Sequence, residues 1–433
     1  MKKKVMAGFA VLFFASLAVF ANGAQEDDSG NKKMFEGETV NALIFTSSDT
    51  DYMINVLAPK LKEETGINLQ IDQVPYDNIR AKQLADVTGA KRYDIINPCT
   101  EWSFEYAQFA EPLNQYIGKA DYPDPEIDDI IPYVWKEFNG SKNTYWFPYQ
   151  PDTRVFFYRK DLLKQAGLEA PKTWNELLSV AKALTKDTDN DGKIDQYGFG
   201  FPARRGNNLT LAWVPFLFSA GGELFDEDNQ PAFNSQAGID AINLLRELKK
   251  YCPPDIDTYG EYELNKSAKE GSIAMGVSAS AITPEVESSD VPVKGKISCT
   301  VFPVQSENTT VKYRACLGGW ALGVSSYSKH KAAAAYTVLW LTDKANSTDM
   351  EIHGRQHAAR LSQASNPELL AVNPHVKTIV DILEKSVIFY HGISGAQINE
   401  LLNVRIAQAI SGELSPKAAL EKAEEDILPL TKK

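Results

Sequence analysis

From residue 40 onward the chain alternates short apolar runs with stretches in which apolar positions recur every three or four residues. Residues 41–46 read as a strand, and residues 52–64 as an amphipathic helix closed by Gly66. Residues 68–74 form a second strand, with Leu69 and Ile71 on one face; residues 76–88 are helical again, and residues 93–96 give a third strand. This βαβαβ rhythm predicts a parallel sheet with helices on its faces. Thr173 with Glu176 is a capping box ahead of Leu177, Leu178, Ala181 and Leu184. Ser235 caps a helix whose stripe is Ile239, Ile242, Leu245 and Leu248. Pro416 stands at a first helical position, where its missing N–H costs nothing. Further strands are expected at 155–158, 273–277, 296–304 and 322–324, and an alanine-rich helix at 331–341. Trp174 and Trp340 fall on apolar helix faces and are assigned to core. No linker rich in Pro or Ser divides the chain, so two lobes would be joined through ordered strands.

The first residues break this pattern. Lys2, Lys3 and Lys4 precede an apolar run from Val5 to Phe20, and small residues follow up to Ala24. That is the layout of a secretory signal peptide over residues 1–24, and the run is short for a membrane-spanning helix. Residues 25–39 then read as a flexible leader. No cysteine precedes Cys99, which argues against a lipid anchor on cysteine. The mature protein is therefore expected in the periplasm or outside the cell.

The formal net charge is −12, and without the three signal-peptide lysines about −15. An acidic surface repels phosphate backbones, so nucleic acid is not an expected partner. The four cysteines, Cys99, Cys252, Cys299 and Cys316, lack CxxC spacing, which argues against a zinc cluster. Export would allow a Cys299–Cys316 disulfide; the alternative is four separate buried thiols.

Several short motifs occur in a fixed order. Tyr93-Asp-Ile-Ile96 precedes Trp102 and Phe109-Ala-Glu-Pro-Leu113; Trp146-Phe-Pro-Tyr149 leads to Phe157-Tyr-Arg-Lys-Asp161. Ala166-Gly-Leu168, Pro171-Lys-Thr-Trp-Asn-Glu-Leu177, Ala220-Gly-Gly222, Ala274-Met275, Gly318-Gly-Trp320 and a tail from Ser411 to Leu420 follow. Taken together, this set resembles the extracellular solute-binding proteins of sugar ABC importers, the family of maltose-binding protein. The resemblance runs from about Val40 to Leu430. It implies an α/β fold of the type II periplasmic binding protein kind, with two lobes joined by crossing strands around a ligand cleft. By that resemblance residues 40–147 and 300–345 form the N-terminal lobe, and 148–299 and 346–433 the C-terminal lobe. It also implies hinge closure on a sugar or sugar alcohol, delivery to membrane permease subunits, and a monomer with no catalytic activity.

A sugar offers apolar C–H faces and a rim of hydroxyls, so its site needs aromatic platforms and directed polar groups. In an α/β sheet those belong in loops after strands. Ser47 and Asp49 follow the first strand, beside Thr46 and Ser48, and either face the ligand or cap the next helix. Trp102 lies in the loop after the third strand. Tyr149, Asp152 and Arg154, with Gln150, sit at the first expected crossing between lobes; Asp152 and Arg154, two apart on extended chain, project to one side. Trp213 opens a helix of the second lobe, Trp320 follows a diglycine turn at the second crossing, and Arg355, near Gln356 and Arg360, lies where the family's last segment borders the cleft. An ion pair between Asp152 and Arg154 is the structural alternative for that pair.

Asp187, Asp189, Asp191 and Asp195 match the start of a calcium loop, with Gly192 at the sixth place, but the twelfth place is Gly198 rather than glutamate. A structural calcium is the possible cofactor; no other is expected. Enzyme signatures are thin. His353 and His357 lack the glutamate of HExxH, Ser326-Tyr-Ser-Lys329 lacks its companion motif, and no Walker loop or G-x-S-x-G occurs. A glycosidase would need two positioned carboxylates, and no motif marks such a pair. The alternatives to a sugar binder are an exported carbohydrate-active enzyme and a binder of another solute, such as a peptide, polyamine or phosphodiester.

Overall fold

A computed structural model describes residues 33–431 apart from 141, 289, 355, 356 and 358. The signal peptide and most of the leader expected from the sequence lie outside the described residues. Among the described residues no helix is long and apolar enough to cross a membrane.

The first sheet is built on β1 (Thr39–Phe45), flanked by β2 (Asn68–Val74) and β3 (Ile95–Ile96). Both pair parallel to β1, β2 in register from Thr39 opposite Asn68 to Phe45 opposite Val74. The sheet continues antiparallel through β8 (Cys316–Val324) to β4 (Phe147–Asp152), and β9 (Val387–Ile388) adds to the start of β8. The second sheet is antiparallel: β5 (Arg154–Arg159) lies between β6 (Met275–Ala279) and β7 (Ile297–Thr300). A single residue, the buried Thr153, separates β4 in one sheet from β5 in the other. Its hydroxyl donates to Cys316 O at 3.3 Å, which ties this crossing to the start of β8.

The local signals acted as the chemistry requires. Thr173 and Glu176 form the reciprocal capping box of the helix Trp174–Ala183. The Ser235 hydroxyl accepts from Gly238 N, and Pro416 opens the helix Pro416–Thr431. The segment expected as one helix over 52–64 begins earlier, at Ser48–Tyr52, widens into a π-turn over Met53–Leu57, and resumes as Ala58–Thr65. It stops at Gly66, whose φ of 85° suits glycine and whose added Cβ would meet the Glu36 backbone at 2.7 Å.

Two apolar cores result. One surrounds the first sheet, with Leu43, Ile96, Leu322, Val338 and Trp340; the other surrounds Phe156, Trp213, Phe216, Leu245, Ile406 and Leu420. Trp174 and Trp340 are both buried, as their helix faces require. All four cysteines are buried free thiols, which corrects the Cys299–Cys316 pairing. Cys299 sits on β7 opposite Phe157, whereas Cys316 opens β8 beside Val387, so the two belong to different sheets.

Candidate functional site

Where the chain crosses between the sheets, a cleft of about 440 Å³ opens. That volume is within the range of small-molecule sites. Its floor is β4 running into β5, with β8 alongside. Alternation along the extended chain sends Gln150, Asp152 and Arg154 into the cleft. Gly319 of β8, at φ 105°, lies so close to β4 that an added Cβ would sit 2.3 Å from Gln150 O. Glycine is needed there for the two crossing strands to touch.

Aromatic rings make one wall. Trp320 stacks on Phe45, with centroids 4.5 Å apart and planes 8° from parallel. Tyr76 meets Trp320 edge-on at 6.0 Å, and Trp102 meets it at 5.7 Å and 78°. Trp320 lines the cleft. Trp102 stands behind it and lines an adjoining hollow of about 170 Å³ with Arg80, Asn399 and Asn403; Tyr76 and Glu101 border both spaces.

Directed polar groups make the opposite wall. Arg154 donates to Glu261 Oε2 at 2.7 Å and to Asn208 Oδ1 at 2.9 Å. The second Glu261 oxygen accepts from Ser278 Oγ and Ala279 N, both at 2.6 Å. Burial works against the Arg154 charge, but Glu261 and then Asp152 outweigh it and hold its pKa above the ordinary value. Asp152 itself accepts from Ser280 Oγ at 2.7 Å. Arg154 thus takes Glu261, not Asp152, as its hydrogen-bonded partner, which replaces the ion pair considered from sequence. Asn207 donates to Tyr76 Oη at 2.9 Å and accepts from Asn399 at 2.7 Å, joining the two walls. Tyr262, 75% exposed, stands at the lip.

Of the residues singled out from sequence, Thr46, Ser47, Gln150, Asp152, Arg154 and Trp320 line the cleft. Ser47 also caps its helix, accepting from Thr50 N. The others are placed elsewhere. Asp49 is buried against Gly354, because the helix that starts after Ser47 turns it inward. Tyr149 is buried on the reverse face of β4 by strand alternation, and burial, then Asp49, pushes its hydroxyl well above the usual phenol range. Trp213 lies wholly in the second core, its indole N–H bonded to Gly238 O at 3.3 Å. Arg360 is buried and donates to Pro125 O and Ser347 Oγ, a packing role. Arg355 and Gln356 fall outside the described residues.

Sequence reasoning missed Phe45, Tyr76, Glu101, Arg204, Asn207, Asn208, Glu261 and Tyr262, all of which line the cleft. Tyr76 and Glu101 stand in the segments after β2 and β3, so the loop-after-strand rule that picked Ser47 also reaches them. Glu261 and Asn208 open helices of the second half, where no local pattern marks them.

At the loop 187–195, carboxylate oxygens of Asp187, Asp189 and Asp195 gather within 4.8 Å of one another. Asp187 Oδ1 is buried and accepts no hydrogen bond. Asp191 is outside this group; its Oδ1 accepts from Lys193 N at 2.8 Å. Gly198 cannot be replaced by a twelfth-place ligand, since a Cβ there would fall 1.8 Å from Ala181 O.

Comparison with known proteins places this architecture. Residues 46–347 match the family of bacterial extracellular solute-binding proteins. A probable amino-acid ABC transporter periplasmic-binding protein of Sinorhizobium fredii is 28% identical over 97% of this chain and 95% of its own. A mannitol-binding protein of Pseudomonas aeruginosa is 26% identical over 71% of this chain and 73% of that protein. The crystal structure of an ABC transporter solute-binding protein from Agrobacterium radiobacter K84, in complex with ribitol, superposes with a TM-score of 0.80 at 25% identity, covering 92% of this chain and 100% of that one. With a matching family profile over most of its length and the two-sheet, strand-crossed fold around a cleft, the chain belongs to the bacterial extracellular solute-binding proteins.

Proposed function

We propose that the protein is the exported capture component of an ABC importer, that it closes its cleft on a neutral, hydroxyl-rich solute, a sugar or sugar alcohol, and that it hands this solute to membrane permease subunits without altering it. The observation that carries the reading is the pairing of a stacked indole with a buried arginine whose charge is already matched. Trp320 on Phe45 offers an apolar face for C–H groups. Opposite it, Arg154 is engaged by Glu261 and Asn208 before any ligand arrives. An amino acid could not place its carboxylate on Arg154 without breaking those bonds and would have to turn to Arg204, which is 58% exposed and 3.7 Å from Glu263. A polyol requires only donors and acceptors in alternation, which Gln150, Asp152, Asn207 and Arg154 supply. The mannitol-binding relative and the ribitol complex support the same reading. The name of the Sinorhizobium relative favours an amino acid instead, so amino acids belong in the test.

The test is thermal unfolding of the mature protein against pentitols, hexitols, monosaccharides, disaccharides and the common amino acids, with product analysis of any hit. A true ligand at about a hundred times its dissociation constant adds about 2.7 kcal/mol of stability. Stabilisation by amino acids alone would reject the solute class. Conversion of a stabilising sugar into product would reject the transport role in favour of an enzyme. For the loop 187–195 we propose a structural calcium held by Asp187, Asp189 and Asp195, supported by their convergence and by the unsatisfied Asp187 oxygen.

A further inference from the structure

A second cavity, of about 600 Å³, shares no lining residue with the cleft. It lies between the helix Pro132–Asn139, which packs on β4 and β9, and segments 218–229 and 312–313, with residues 387–391 completing its lining. Part of its wall is aromatic. Phe225 meets Tyr390 edge-on at 5.0 Å, and Phe218 meets Tyr313 at 5.5 Å. Glu137 projects into it from the helix with only 2% of its side chain exposed.

The backbone N–H of Ile388 serves the Glu137 carboxylate, but only in part. Its Oε2 is buried and accepts no hydrogen bond; His391 Nε2, 3.3 Å away, is not aligned to donate one. Burial, then Lys136, holds His391 below its ordinary pKa, so at neutral pH it brings no compensating charge. A buried carboxylate oxygen without a donor is costly, and a donor carrying positive charge relieves that cost most. The remaining charges lean the same way. Lys312 is matched by Glu223 at 3.3 Å, which leaves Lys136 against Glu137, Asp226 and Glu227. Aromatic faces around a carboxylate are the surroundings that attract an organic cation.

We infer that this cavity is a second ligand site, separate from the solute cleft, that takes a small organic amine with its ammonium on Glu137 Oε2 and its apolar body among Phe218, Phe225 and Tyr390. The inference does not depend on the identity of the cleft ligand.

Benzylamine and its uncharged counterpart benzyl alcohol, titrated calorimetrically into the full mature protein, are the probes. Benzylamine is expected to bind one to one and about tenfold or more tighter than benzyl alcohol. Glu137→Gln should remove that preference, Phe225→Leu should weaken benzylamine binding several-fold, and Trp320→Ala, a cleft change, should leave it intact. Circular dichroism checks that each variant is folded. Equal binding of the two probes, an unaltered preference in Glu137→Gln, or loss in Trp320→Ala would each overturn the site. Should Glu137→Gln fail to fold, Phe225→Leu decides alone, and unchanged benzylamine affinity in it overturns the proposal.

Discussion

Arg154 on the crossing strand and Glu261, 107 residues further along, meet at 2.7 Å through Nη1 and Oε2 on the wall of the cleft. The Arg154 side chain is 4% exposed and that of Glu261 21%. Removing one partner of a largely buried pair leaves the other charge uncompensated. Glu261→Gln is therefore expected to destabilise the protein by about 2–3 kcal/mol, less than for a fully buried pair because Glu261 is partly solvated. It should also weaken solute binding. Denaturant unfolding measures the first effect, and a stability equal to wild type would show that Arg154 is served without Glu261.

The two tryptophans expected as ligand contacts in different lobes separate by function. Trp320→Ala removes the ring that faces the cleft and should cost about 1–3 kcal/mol of solute binding. Trp213→Ala empties a site in the second core and should cost about 3–5 kcal/mol of folding stability. Affinity of the folded fraction should be unchanged in Trp213→Ala. Calorimetry and unfolding on both variants check the split; equal effects on affinity would reject it.

Burial raises the Glu137 carboxyl from 4.5 to about 7. A carboxyl raised in this way binds its proton more tightly folded than unfolded. Its contribution is fully present below the unfolded value and is lost as pH rises through about 7. The loss amounts to about 3 kcal/mol at most, at roughly one and a third kcal/mol for each unit. Glu137→Gln lacks this titration, so its stability relative to wild type should improve between about pH 5 and about pH 8. Unfolding curves at both pH values give the answer, and a difference that does not vary with pH would contradict the burial argument.

A calcium ion at Asp187, Asp189 and Asp195 would join the end of one helix to the strand-like segment that follows. Chelator should then lower the melting temperature, and added calcium should restore it. Asp189→Asn and Asp195→Asn should abolish the response, while Asp191→Asn, whose carboxylate lies outside the gathered group, should reduce it less. A melting temperature indifferent to chelator would remove the ion.

The strand-and-helix order was legible in the sequence because it rests on local periodicity. β2 over Asn68–Val74 and the helix Lys331–Leu341 coincide with their apolar patterns, and the caps at Thr173 and Ser235 bond as their side chains dictate. The same local rule explains Ser47, which follows β1; Trp320 instead lies within β8, where Gly318 and Gly319 pair with β4 as strand rather than forming the expected turn. Which face a residue presents was harder to read. Tyr149 and Gln150 are neighbours on one strand, and only the pairing of β4 with β8 turned Gln150 to the cleft and Tyr149 to the core. The partner of Arg154 was beyond reach for a different reason. Its chain neighbour Asp152 was the local choice, but Asp152 accepts from Ser280, and the helix Glu261–Glu270 brings in Glu261 from a distant stretch of sequence. The sequence by itself determined the elements, since these depend on neighbours a few residues apart; the points where the chain crosses between sheets were only what the family resemblance implied. Tertiary structure alone decided which charges meet and which rings line the opening, because those contacts join residues that share no local pattern.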